Sequence, residues 1–450
     1  MRGFLRSLAG TAAVAAVCSL AAGCAGSSSA QTSEDQGGGG NSAPTATSTK
    51  GDAKPAEAAN TPSVPAATVS ITPANSSHQI DPGAPIRVTA ARGTVSRVVV
   101  RTAGDRVTGT LSADKTSWRS TSTLNVGQLY TVTATAVNSA GASVSRTSAF
   151  RTLNPTQTFT AQISETAGAT YGVGMPIQVS FSQPVTNKAA VEKALGLRTS
   201  KPVVGAWSWL DATHVDFRPR DYWPAHTRVS FTGRFNGVQA AAGVYGAANL
   251  SQSFTIGSSV IVTASTTTHH MQLYVDGKKK YDWPISTGKP GDDTPNGTYV
   301  TINKSNPEEM KPADIAPGQP GYYDLMVPFA TRFTWSGIFL HAASWSVGQQ
   351  GYINVSHGCV NMPPAAAEIY YNMAVPGNPV TVTGSPVAGT PGDGWTDWFN
   401  SWSQVVANSA THQAVSAGPG GSSFLRPSAA PASTATAPLG RPAPGNSAAA

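Results

Sequence analysis

From Ala66 to Leu153 the chain reads as short strands, and nothing in that stretch keeps a helical interval. Ile86-Arg87-Val88-Thr89, Val95 to Arg101 and Tyr130 to Val137 are alternating or β-branched runs of strand length. Asp81-Pro82-Gly83 and Asn138-Ser139-Ala140-Gly141 supply turn chemistry between them. Strands that bury every second residue need an opposing sheet, so a small antiparallel sandwich is the economical fold for 66–153. Residues 154–257 read as a second such unit, with Pro176 to Phe181, Thr213 to Phe217 and Arg228 to Phe231 as strands and Lys188 to Leu197 as one short helix. His214 and His226 each stand alone there, so they are expected to be solvated or hydrogen-bonded and not metal ligands.

The ends of the chain are of another kind. Met1 to Arg6 is basic and Leu8 to Ala22 apolar, the pattern of a removed export signal, and the apolar run is too short for a membrane span. Residues 24–65 are rich in Gly, Ser, Ala, Thr and Pro, a composition that cannot offset its ordering entropy and is expected to act as a flexible tether. Residues 416–450 are Ala, Pro, Ser and Gly, and disorder is expected for them. Between 385 and 415, Trp395, Trp398 and Trp402 fall on one helical face, which predicts a small subdomain packed on the domain before it.

Residues 258–384 form the remaining domain. Val260-Ile261-Val262, Met271 to Val275 and Tyr281 to Ser286 read as strands, with Asp276-Gly277 as a hairpin turn. Phe333 to His341 is expected as a strand, a helix is expected from Pro363, with Glu368 near its positive end, and Val380-Thr381-Val382 closes the domain. Residues 303–323 carry Pro, Glu, Asp and Gly without periodicity and have the length of an active-site lid.

Of the three cysteines, Cys18 leaves with the signal and Cys24 sits at its end, so Cys359 is an unpaired thiol in an exported chain. A thiol attacks as thiolate, so it needs a base or a positive field nearby. His357 is two residues away and would share a face with it on extended chain, while His341 ends a strand that can lie alongside. Gly358 leaves room for a substrate against the backbone, and N–H groups around Gly358 and Cys359 can bind an oxyanion. A helix starting at Pro363 would add its positive end. The net charge of +7, two of it from Arg2 and Arg6, suits an anionic wall or membrane surface. Nucleic acid is not expected as a partner of an exported chain.

Several resemblances follow from these residues. Leu20-Ala21-Ala22-Gly23-Cys24 resembles a bacterial lipoprotein signal, which implies a cut after Gly23, a lipid on Cys24 and a cell-membrane anchor facing the periplasm or wall; plain secretion is the alternative, because Ala21 stands where Leu is usual. Leu129 to Gly141 resembles a strand and turn of immunoglobulin-like modules. His341 with Ser356-His357-Gly358-Cys359-Val360-Asn361 resembles the signature of L,D-transpeptidases with a YkuD-type catalytic domain, and the wider layout is similar to their mycobacterial members. The resemblance implies a mainly β chain: two tandem immunoglobulin-like sandwiches followed by a β-rich catalytic domain with short helices. It implies Cys359 as nucleophile, His341 as proton acceptor and donor, and the carbonyl of Ala342 orienting His341. Backbone N–H groups of His357, Gly358 and Cys359 would form the oxyanion hole. Tyr323, Ser336, Gly337 and Asn361 would contact substrate, and Met310 matches a lid methionine. The implied substrates are peptidoglycan stem peptides, a tetrapeptide donor and an amine acceptor joined by a 3→3 crosslink, with carbapenems acylating the same thiol and no metal or other cofactor taking part. Two other readings share these residues: a cysteine L,D-carboxypeptidase with water as acceptor, and a wall-binding lipoprotein whose catalytic domain is idle.

Overall fold

A computed structural model of the chain describes residues 64–312 and 315–425. The export signal, Cys24, nearly all of the tether and the tail from residue 426 lie outside the described residues.

The alternation in the first unit builds a sandwich of two sheets. Thr68–Thr72, Arg87–Ala91, Ser117–Ser120 and Gly109–Leu111 form one, in that order, and Thr94–Arg101, Leu129–Val137 and Ser143–Arg151 the other. Along Leu129–Val137, Tyr130, Val132, Ala134 and Ala136 are fully buried. Thr133 and Thr135 on the opposite face bond across to Thr147 (3.1 Å) and Ser145 (2.8 Å). The Tyr130 hydroxyl accepts the Asn125 N–H at 2.7 Å, the tyrosine corner of immunoglobulin-like sandwiches. In the second unit Tyr171 repeats this with the N–H of Thr166, also at 2.7 Å.

The second sandwich departs from expectation in two places. Its helix covers only Lys188–Lys193, because Leu195–Thr199 pairs with Thr227–Gly233 as an edge strand instead of continuing the helix. Its other sheet runs Gly421–Phe424, Val415–Gly418, Val203–Trp209, His214–Pro219, Ile177–Phe181, Ala161–Ile163, so residues 415–424 are two ordered strands and not the start of a disordered tail. Val415 and Ala417 alternate inward and join the core around Trp207 and Phe217, and that burial holds the hairpin.

The three tryptophans do not share one helix. Asp397–Phe399 is a single 3₁₀ turn, Asn400 is extended, and Ser401 starts a new helix, Trp402–Ala407, through a capping box with Gln404. Trp398 packs on the second sandwich, where its ring meets Tyr222 (4.4 Å) and the Arg218 guanidinium (4.6 Å) and its Nε1 donates to the Gly174 carbonyl at 2.8 Å, whereas Trp395 meets Trp335 of the third domain at 5.9 Å, as expected. Phe399 likewise turns onto Tyr299 of that domain at 5.0 Å. The segment therefore bridges the two.

In the third domain, five strands run Lys278–Pro284, His270–Val275, Val260–Ser265, Pro379–Thr383, Gly297–Val300. The Asp276-Gly277 turn has both residues at positive φ (48° and 77°), the two-residue hairpin geometry. A second sheet, Asn303–Ser305, Ala330–Arg332, Phe339–Ala342, Val360–Met362, carries the site. The strand expected from Phe333 begins only at Phe339, because Gly337 takes a φ of 97° and the Thr334 hydroxyl accepts the Ile338 N–H at 2.9 Å, which makes 334–338 a turn. The expected lid is partly regular: Glu308–Met310 pairs antiparallel with Leu325–Val327 as a two-stranded flap.

Candidate active site

Phe339–Ala342 and Val360–Met362 are parallel neighbours, with His341 opposite Asn361. Residues two apart on a strand share a face, so Cys359, just before the second strand, comes to the same side as His341. Both line a cavity of about 810 Å³, together with Tyr323, Trp345 and residues of both flap strands.

His341 is buried, and its Nδ1 lies 2.9 Å from the Ala342 carbonyl. A carbonyl only accepts, so Nδ1 carries the proton and the neutral ring presents Nε2 as a base. Burial pushes its pKa down to about 4, against a smaller upward pull from the Ala342 carbonyl. Trp345 stacks on the ring at 5.9 Å.

The Cys359 thiol is half-buried at the cavity floor, with Sγ 3.9 Å from the Gly337 carbonyl. Burial pushes its pKa up to about 11, and only the Phe339 backbone works against that. The helix expected to help starts further along the chain. It covers Pro364–Met373 and begins five residues after Cys359, beyond the strand Val360–Met362, so it does not start at the thiol itself. Glu368 sits past its first turn. Neutral thiol and neutral imidazole are thus the resting pair, and a proton must move as sulfur attacks.

His357 lines the same cavity but makes no hydrogen bond to the thiol. Residues 357–359 bend, with Gly358 at a φ of 119°, so the two-residue spacing no longer puts both side chains on one face. The His357 ring is exposed, its Nε2 accepts from Lys289 Nζ at 3.0 Å, and Tyr323 lies 5.2 Å from it. Around that bend Ser356 Oγ donates to the Cys359 carbonyl (2.6 Å) and accepts the Gly358 N–H (3.2 Å). Thr294 Oγ1 donates to the Gly358 carbonyl at 2.6 Å. The Gly358 N–H is therefore engaged, while among the described residues no protein acceptor takes the N–H of His357 or Cys359.

The remaining candidates are spread around the cavity. Tyr323 is half-buried on the flap, and burial, then the nearby Cys359, raises its pKa. Ser336 and Gly337 lie in the 334–338 turn, where the Asp393 carboxylate accepts from the Ser336 N–H (2.7 Å) and hydroxyl (2.6 Å). Asn361 is buried, lines the same cavity, and its Nδ2 donates to Ser346 Oγ at 3.0 Å. Met310 is on the flap, lining the cavity. Cys24 lies outside the described residues. His214 bonds to Asp211 at 2.8 Å on the surface, far in the chain from these groups.

Sequence reasoning missed Ser356, Thr294, Trp345, Lys289 and Asp393 as parts of this site. Ser356 was within the motif itself, and Thr294 and Lys289 sit either side of the Gly291-Asp292-Asp293 turn. Nothing local marks Asp393 or Trp345.

Comparison with known proteins finds the following relatives. Residues 77–239 match the bacterial Ig domain family, one match that runs across both sandwiches, and residues 259–382 match the L,D-transpeptidase catalytic domain. L,D-transpeptidase 2 of Mycobacterium tuberculosis is 34% identical over 77% of this chain and 85% of its own length. L,D-transpeptidase 5 of the same organism is 36% identical over 77% and 78%. Among solved structures, L,D-transpeptidase 3 from Mycobacterium tuberculosis in complex with a faropenem-derived adduct is 31% identical over 50% of this chain and 97% of that one, with a TM-score of 0.42.

Proposed function

The chain belongs to the L,D-transpeptidases, and from that premise we propose that it crosslinks peptidoglycan through a thioester on Cys359. The observation that carries the reading is the shared cavity of Cys359 and His341, with Nδ1 of His341 committed to the Ala342 carbonyl and Nε2 free to take a proton.

In the first step, His341 takes the thiol proton as Cys359 Sγ bonds to the carbonyl carbon of the third residue of a tetrapeptide stem. The developing oxyanion is received by the N–H groups of His357 and Cys359. The bond to the terminal D-alanine breaks, and His341 returns its proton to the departing amine. In the second step, the side-chain amine of a neighbouring stem's third residue attacks the thioester, His341 takes a proton from that nitrogen, and sulfur leaves to recover its own. The product is a 3→3 crosslink. Tyr323, Ser336 and Gly337 frame the donor stem, and a carbapenem ring acylates the same sulfur. The basic signal ending at Cys24 supports export and a lipid anchor at the cell membrane, with the sandwiches carrying the domain into the wall.

The test is mass spectrometry of the full chain with tetrapeptide-bearing muropeptides. A dimer lacking one D-alanine, with a transient acyl-enzyme on Cys359, is expected. Tripeptide monomers alone would make the protein an L,D-carboxypeptidase.

A further inference from the structure

We propose that Glu308 is the specificity residue that receives the cationic amine of the acceptor stem, an inference that rests on the transpeptidation proposed above. Glu308 lines the cavity of Cys359 and His341. Its position follows from register. Glu308 pairs with Val327, which is buried, and both line the cavity. The next residue, Pro328, accepts the Ala342 N–H at 3.1 Å, which ties the root of the flap to the end of the strand that holds His341. The flap that carries Glu308 is thus joined at its root to the His341 strand.

Its surroundings set it apart from the other acids on this cavity. Glu309 pairs with Lys311 at 3.3 Å, Asp292 with Lys289 at 3.2 Å, and Asp293 takes the Gly291 N–H at 3.2 Å. Among the described residues Glu308 has no such partner, although it is half-buried. A partly covered carboxylate that neither lining cation, Lys311 nor Arg332, pairs with is suited to a cation that arrives with the ligand.

The acceptor supplies that cation. Its nucleophile is a primary amine on an alkyl chain, protonated in neutral water with a pKa of about 10, like lysine. The nitrogen has to reach the thioester beside His341, because that ring takes the proton released when nitrogen bonds to the acyl carbon and sulfur departs. Glu308 holds the ammonium form in the cavity until the nitrogen sheds one proton to solvent and attacks as free amine. Water, which carries no charge, gains nothing from Glu308, so the residue favours crosslinking over hydrolysis.

The experiment uses the full chain with a tetrapeptide donor and two alternative acceptors, a stem peptide bearing the cationic amine and hydroxylamine, which is uncharged at neutral pH. The readout is the ratio of the two aminolysis rates in one preparation, so partial misfolding cancels. In Glu308→Gln this ratio is expected to fall about fivefold, the scale of one partly exposed ion pair, and Glu308→Asp is expected to restore most of it. An unchanged ratio in Glu308→Gln overturns the assignment. If the unsubstituted protein acylates but transfers to neither amine, the transpeptidase reading itself fails, and this inference with it.

Discussion

Asp393 holds Ser336 with both carboxylate oxygens, Oδ1 on its backbone N–H at 2.7 Å and Oδ2 on its hydroxyl at 2.6 Å. The two residues are 57 apart in sequence. The grip matters because the next residue is Gly337, whose carbonyl is the neighbour of Cys359 Sγ. A segment with no reactive group of its own thereby steadies one wall of the site.

Asp393→Ala should therefore slow acylation of Cys359 by a carbapenem by about tenfold, since a turn displaced by an ångström loses positioning. Asp393→Asn keeps one acceptor and should lose less. Stopped-flow acylation rates, with circular dichroism to confirm folding, check this; equal rates in all three proteins would detach Asp393 from the site.

The assignment of base is open to a direct comparison. Cys359→Ala should abolish the carbapenem mass shift. His341→Ala should lower the acylation rate by about 10²–10⁴, the range for a general base, whereas His357→Ala should cost only a few-fold, because its ring faces Lys289 and its N–H survives the change. Equal losses in the two histidine variants would return the role to either.

The pH profile separates a neutral pair from a preformed ion pair. With His341 pushed down to about 4 and Cys359 up to about 11, both stay neutral over the range between. The acylation rate should be flat from about pH 5 to about pH 9 and should fall only as His341 gains its proton near the acid end. A resting thiolate–imidazolium pair would instead give rapid alkylation by iodoacetamide at neutral pH, which is not expected here.

Stability carries its own pH dependence through Glu165. This carboxyl is buried in the second sandwich with Oε2 unpaired, and burial pushes its pKa up to about 8 from 4.5. The folded chain then binds the proton more tightly than the unfolded one, so stability is full below about 4.5 and declines as pH rises towards about 8. Glu165→Gln should remove that decline and raise stability at pH 7.5 by on the order of 1–3 kcal/mol. Denaturant titrations at several pH values measure it; parallel curves for the two proteins would contradict the burial effect.

Much of the architecture was readable from neighbours in the chain. Tyr130 to Val137 alternates because every second side chain must enter the sandwich, and that rule acts within the strand itself. The Asp276-Gly277 turn was legible for the same reason, as φ > 0 at both positions selects these residues locally. The errors arose where local pattern met a distant partner. Three tryptophans at helical spacing fall in separate turns, Trp395 against Trp335 and Trp398 and Trp402 against Arg218. Ser416 to Phe424 resembled a tail by composition and became strands by pairing with Val203–Trp209.

At the site the division is similar. The sequence by itself determined that one unpaired thiol lies in a Ser-His-Gly-Cys stretch, and its likeness to a known signature picked out His341. Spacing alone favoured His357, because two residues on extended chain share a face. Tertiary structure supplied the rest: the bend at Gly358 breaks the extended geometry that would pair His357 with the thiol, the His357 ring bonds Lys289, and a parallel strand pair brings His341 and Cys359 into one cavity. It also set their resting charge, since burial depends on everything packed around a group and not on its sequence neighbours.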